Sequence, residues 1–242
     1  MSRRRSLRAL RPLASLFATA ALAAASLACS STVTPRPDVQ VAVMGSSTAA
    51  GTGATAGNSW VDRVRLAAAT ACPQVKLTNL AVGGTTTSAG LPTSSAPPPA
   101  GREPPMVGHN LDAALALKPA LVLVEYPSND ANGFIPLAET LAYHTTFRDG
   151  IRAAGASDVI IGPFPRAFTD AGQVALMTGL RDALPAVGAP RYIELWTDLA
   201  SSDTEVKTTY ASGDGIHLND PGHALIADKV LASAAWKAVC TP

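Results

Sequence analysis

The hydrophobic positions of this chain fall into short apolar runs that alternate with longer stretches of helical period. Gln40–Met44 is a compact apolar run that stops at Gly45, the form of a strand buried on both faces. From Asn58 to Ala71 the spacing changes and puts Trp60, Val64 and Ala67 on one face, which predicts a helix. A second strand is expected over Val75–Ala81. A helix is expected over Leu111–Leu117, stopped by Pro119. Ala120–Tyr126 is the clearest strand, apolar and rich in β-branched residues. Leu137–Ala154 reads as a long helix ended by Gly155, Asp158–Gly162 as a strand, Ala171–Leu184 as a helix and Tyr192–Trp196 as a fifth strand. Pro221–Val239 reads as one closing helix, with Pro221 suited to a first turn.

Five strands alternating with helices predict an α/β fold, a three-layer, doubly wound, flavodoxin-like parallel sheet with right-handed crossovers. Ligands in such sheets bind beyond the C-terminal strand ends. Ser47 follows the first strand, Gly84 the second and Asn129 the third. Two stretches break the alternation. Residues 85–105 are rich in Pro, Ser, Thr and Gly, and a loop of that length is usually functional or mobile. Its place beside Gly84 makes it a candidate substrate lid, with Arg102 and His109 as possible substrate contacts; surface and capping roles are the alternatives. Residues 197–213 form a second long connection toward the same rim. His144 lies mid-helix and is expected at the surface, and His223, in the first turn of the last helix, is expected to be structural.

Residues 1–28 have the form of a signal peptide. Arg3, Arg4, Arg5, Arg8 and Arg11 precede an apolar run from Leu13 to Leu27 that is too short to favour a membrane span. Arg3-Arg4 also hints at a twin-arginine signal, although Ser6 stands where such signals usually place Phe. Cys29 follows Ser26-Leu27-Ala28 and is a lipidation candidate; cleavage after an alanine without lipidation is the alternative. Residues 29–38 read as a flexible tether, and residues 39–242 as one domain. Without the leader the chain carries 14 Lys and Arg against 18 Asp and Glu, about −4, so no basic surface argues for nucleic acid. Export implies an oxidising compartment. Cys72 and Cys240 each end a predicted helix. In a 2-1-3-4-5 strand order those two helices share a face of the sheet. The pair is therefore a disulfide candidate, with two buried thiols as the alternative, and bonding needs a Cα separation under about 7 Å.

The chemistry concentrates in Asp214-Gly215-Ile216-His217. An Asp three residues ahead of a His can supply two members of a catalytic triad from one loop. The nucleophile candidate is Ser47, in the Gly45-Ser46-Ser47-Thr48-Ala49-Ala50-Gly51 turn where the first apolar run ends. A serine hydroxyl needs a base to take its proton, and an imidazole with an unperturbed pKa of about 6.5 does so near neutrality. Asp214 would fix the imidazole tautomer. No His, Cys and Asp spacing fits a metal site, so no metal or cofactor is expected.

Four segments stand in order: Gly45–Gly51, Asn79-Leu80-Ala81-Val82-Gly83-Gly84, Pro127-Ser128-Asn129-Asp130 and Asp214–His217. Together they resemble the SGNH (GDSL-type) hydrolase superfamily, over nearly all of the chain from Val41 onward. The resemblance implies a Ser47, Asp214 and His217 triad. It also implies an oxyanion hole made by the Ser47 and Gly84 N–H groups and the Asn129 side-chain amide. Two positions depart from the family pattern: Ser46 stands where Gly-Asp-Ser usually has Asp, and Pro127 replaces the usual Gly. The expectation is a GSS-type secreted bacterial esterase of acyl esters, with acetyl esters of carbohydrate as the first expected substrates and lipid or thioester acyl groups as the next. It would be a monomer, periplasmic, extracellular or lipid-anchored at the cell envelope, meeting a membrane only through that anchor. An acyltransferase using the same acyl-enzyme and a non-catalytic carbohydrate-binding lipoprotein are the alternatives.

Overall fold

The computed structural model describes residues 37–95, 98–126 and 128–241. The expected leader, Cys29, most of the tether and Pro127 lie outside the described residues. Strand β1 (Val39–Gly45) runs straight into a one-turn helix, α1 (Ser47–Ala50), and then α2 (Trp60–Ala71). After β2 (Val75–Asn79) and a long loop come α3 (Leu111–Ala116), β3 (Leu121–Glu125), α4 (Ser128–Asn132), α5 (Leu137–Ala153) and β4 (Ser157–Ile161). The chain closes with α6 (Ala171–Gly188), β5 (Tyr192–Ile193), α7 (Trp196–Leu199), α8 (Asp220–Ala232) and α9 (Ala234–Cys240).

The strands form one parallel sheet in the order β2-β1-β3-β4-β5, the doubly wound arrangement expected. Side chains alternate across it. Val41, Val43, Leu121, Leu123, Val159 and Ile161 face one core with Trp60, Val64, Ile226, Val230 and Trp236. Ala42, Met44, Val122 and Val124 face the other, against Leu111, Phe147 and Ile151. The register pairs Val43 with Asn79 and Gly45 with Glu125, so neighbouring strands end on one rim. Among the described residues no helix is long and apolar enough to cross a membrane.

Local forces move several expected boundaries. β5 has two residues rather than five: Glu194 accepts the Thr197 N–H at 2.9 Å, and the chain turns into α7 at Trp196. The closing helix is broken at Ser233. That hydroxyl donates to the Val230 carbonyl at 2.7 Å and accepts from the Trp236 N–H at 3.2 Å, ending α8 and capping α9. α6 continues past Leu184, with Pro185 inside it. Cys72 and Cys240 are bonded, with Cα atoms 5.2 Å apart, where α2 and α9 end side by side.

The expectation for His144 was wrong. It is wholly buried on the inner face of α5, edge-on to Phe147, with Nδ1 2.9 Å from the Thr140 carbonyl oxygen. Taking that oxygen as an acceptor places the proton on Nδ1 and leaves Nε2 without a partner among the described residues. Burial pushes its pKa down to about 4, despite the Thr140 contact, which favours the charged form. A neutral buried histidine that must gain a proton on unfolding makes the unfolded state the better proton binder between the two pKa values. Stability should therefore fall as pH drops from about 6.5 to about 4, by on the order of 2–3 kcal/mol from this site. Urea unfolding of His144→Leu across that range should show a shallower acid loss than the parent; parallel curves would assign the loss elsewhere.

Candidate active site

The turn that carries Ser47 begins where β1 has no room for a side chain. A Cβ at Gly45 would collide with the Glu125 carbonyl oxygen and lie 2.7 Å from the Ala49 Cβ. The Ser46 N–H donates to that same Glu125 carbonyl at 2.9 Å, as β1 and β3 end together. Ser46 is the N-cap of α1, and Gly51 closes the turn at φ +96° with its N–H on the carbonyls of Ser47 and Thr48. The Asn79 side chain ties the end of β2 to this turn, its amide donating to the Ala49 carbonyl at 2.8 Å. His223 fixes the far side. Its Nδ1 accepts the Trp60 N–H at 3.2 Å, so Nε2 carries the proton and donates to the Thr52 carbonyl at 3.1 Å. It is a structural staple, as expected.

His217 bridges the other two members of the constellation. Its Nε2 lies 2.9 Å from the Ser47 Oγ and its Nδ1 2.7 Å from the Asp214 carboxylate. Burial works against the charge on Asp214. The His217 N–H and imidazole, the Ile216 N–H and the Ser212 hydroxyl outweigh it and hold the carboxyl well below the usual range. An ionised Asp214 keeps the imidazole proton on Nδ1 and leaves Nε2 facing the serine as a base.

The loop after β2 brings Gly83 and Gly84 to the same rim. Gly83 is the residue packed over Ser47: a Cβ there would sit 3.8 Å from the Ser47 Cα and Cβ. Gly84 faces open space, and its φ of +87° is what favours glycine there. Its N–H makes no hydrogen bond to another described residue. Asn129 lies on α4, and its amide nitrogen is 2.6 Å from the Ser46 Oγ and 2.8 Å from the Thr85 carbonyl oxygen. The Thr85 contact requires nitrogen rather than oxygen at that position. Ser46, standing where the family has Asp, thus accepts a hydrogen bond from Asn129, and both amide hydrogens are engaged in this geometry.

The 85–105 loop is pinned, not loose. Asp130, buried beside Asn129, accepts from the Thr87 N–H and the Thr140 hydroxyl, both at 2.7 Å. Glu103 accepts from the Thr86 N–H at 2.6 Å and its hydroxyl at 2.7 Å. Arg102 is committed to Glu139 through two bonds, at 2.7 and 3.2 Å, rather than to a substrate. His109 lies exposed with Nδ1 3.0 Å from the Leu80 carbonyl oxygen and does not reach the Ser47–His217 pair. Among the described residues no group of three His, Cys, Asp or Glu side chains is arranged to hold a metal.

Sequence reasoning missed Arg166. Its guanidinium is buried and lies 3.7 Å from the centre of the Phe164 ring. It donates to the Ile216 carbonyl, to the Ser128 hydroxyl at 3.1 Å and to the Thr48 hydroxyl at 3.3 Å. Those acceptors belong to the His217 loop, the Asn129 helix and the nucleophile helix. Beneath α1 lies a second buried charge, Glu125. Burial pushes its carboxyl up to about 7, against the attraction of Arg166 and a hydrogen bond from the Ala49 N–H. Burial likewise lowers the Arg166 pKa to about 10, opposed by Glu125 and Asp214. No spacing rule marks an arginine after Gly162-Pro163-Phe164-Pro165 as internal. Arg166→Met leaves three acceptors without their donor. The expected loss is about 1–3 kcal/mol in urea unfolding, with kcat falling alongside; a loss under about 0.5 kcal/mol would show that the three segments hold without it.

The fold and these segments recur in known proteins. No curated protein matches the chain by sequence. Among solved structures, TesA superposes with a TM-score of 0.62 at 20% identity, covering 83% of this chain and 99% of its own. The psychrotrophic esterase EstA from Pseudoalteromonas sp. gives 0.59 at 18% identity, covering 81% and 96%. A catalytic mutant of Axe2, an acetylxylan esterase from Geobacillus stearothermophilus, gives 0.59 at 14% identity, covering 81% and 93%. The model of the GDSL-like lipase/acylhydrolase family matches residues 43–225, a span that holds all four segments. The chain belongs to the GDSL-like lipase/acylhydrolase family.

Proposed function

We propose that the protein is an exported serine esterase that cleaves carboxylic acyl esters through an acyl-enzyme on Ser47, with acetyl esters of carbohydrate as its preferred substrates. The carrying observation is the bridge from Ser47 through His217 to Asp214, at 2.9 and 2.7 Å. His217 Nε2 takes the serine proton as Oγ attacks the ester carbonyl, and returns it to the departing alcohol. The Gly84 and Ser47 N–H groups face the developing oxyanion. Asn129 joins them by sharing the hydrogen it gives to Ser46 or Thr85, each such donor being worth about 10²–10³ in turnover. The Cys72–Cys240 bond supports an oxidising, extracytoplasmic destination. The acetyl preference draws on the acetylxylan esterase among the structural neighbours.

Hydrolysis of p-nitrophenyl acetate, butyrate and octanoate tests this reading. The acetate should turn over fastest, and Ser47→Ala should lose activity to background with all three. Equal activity in parent and Ser47→Ala would remove the nucleophile assignment. Asp214→Asn should lower kcat by about 10²–10⁴, through loss of the imidazole orientation. Asp214 adds stability above its unfolded pKa of about 3.9 and loses it only as pH falls through the depressed folded value. The gap in Tm between Asp214→Asn and the parent should therefore be open at pH 7 and narrow below about pH 4.

A further inference from the structure

A cavity of about 760 Å³ opens at His217. One wall is the 201–209 segment, where Ser201, Thr204, Glu205, Thr208 and Thr209 line it. Backbone bonds make that wall firm. Ala200 and Val206 form an antiparallel bridge. The Ser201 N–H donates to the Glu205 carbonyl at 2.9 Å and the Lys207 N–H to the Leu199 carbonyl at 2.8 Å. The Lys207 ammonium donates to the Asp198 carbonyl at 2.7 Å and so serves the scaffold. The wall presents hydroxyls and one carboxylate, together with the Val206 side chain and the stem of Lys207, and Glu205 and Thr208 are both exposed.

The chemistry of a serine esterase gives this place a meaning. On acylation the bond from Ser47 Oγ to the carbonyl carbon forms and the ester C–O bond breaks. His217 hands the serine's proton to the departing oxygen. The group lodged beside the imidazole is therefore the alcohol portion of the ester. An alkyl alcohol there would strip water from hydroxyls and a carboxylate and return no hydrogen bond. A polyol returns both donors and acceptors, and a carboxylate accepts from two neighbouring hydroxyls at once. The volume suits one or more sugar rings.

Resting on the esterase reading above, we propose that this cavity is the alcohol subsite, that it takes a neutral sugar, and that Glu205 and Thr208 select for it. Two measurements test it. In the first, Glu205→Gln and Thr208→Val are compared with the parent on glucose pentaacetate and on p-nitrophenyl acetate, whose alcohol brings no polyol. Each change should lower kcat/KM on the sugar ester by about tenfold, mainly through KM, and leave p-nitrophenyl acetate within about twofold. Equal losses on both substrates, or no loss on the sugar ester, would overturn the subsite. In the second, cellotetraose is titrated into Ser47→Ala and into Ser47→Ala with Glu205→Gln by calorimetry. Binding about tenfold weaker in the second protein supports the subsite; binding absent from both, or equal in both, overturns it. Sugar binding that depends on Glu205, in a protein whose hydrolysis does not depend on Ser47, would keep the cavity and discard the esterase reading.

Discussion

One buried guanidinium meets two short helices and a loop that come together at the candidate site. Arg166 reaches the nucleophile helix at Thr48, the Asn129 helix at Ser128 and the His217 loop at Ile216. These segments are far apart in the chain and meet only at the sheet rim. Catalytic geometry of this kind tolerates errors well under an ångström. A planar cation with several fixed donors sets three positions at once, which a lysine's single ammonium does not. The cost is a charge taken out of water, offset in part by Glu125, Asp214 and the Phe164 ring face. The neighbouring backbone bond from the Ala167 N–H to the Gly215 carbonyl, at 2.8 Å, extends the same junction.

Much of the fold was legible because burial on both faces leaves a simple signature. The β3 segment is apolar at every position from Leu121 to Val124, and the alternation of strand and helix marks a parallel sheet, whose order is 2-1-3-4-5 as in the flavodoxin-like fold expected. The candidate site was legible because Ser47 and Asn129 each follow a strand end and Asp214 and His217 stand three residues apart in one loop. Residue type and position together singled out Ser47, Asp214 and His217, and the geometry brings those three side chains into contact.

What was hidden depends on contacts between distant segments. Nothing in a helical period distinguishes a histidine facing Phe147 from one facing water, so His144 was placed outside. Arg166 was invisible because its acceptors lie at positions 48, 128 and 216. Ser233 looks like any small polar residue within an apolar period until its hydroxyl is seen to end one helix and begin the next. Composition marked 85–105 as a lid, yet Asp130, Glu103 and Glu139 fasten it.

The bond between Cys72 and Cys240 closes a covalent ring around nearly the whole catalytic domain. α1 lies before the ring and the other three segments lie within it, and β1 is clasped between β2 and β3. A peptide bond cut by a protease anywhere between the two cysteines would leave both fragments as one molecule, with the broken ends still held by the sheet. While that bond stays oxidised, the chain can be nicked at an exposed turn without coming apart.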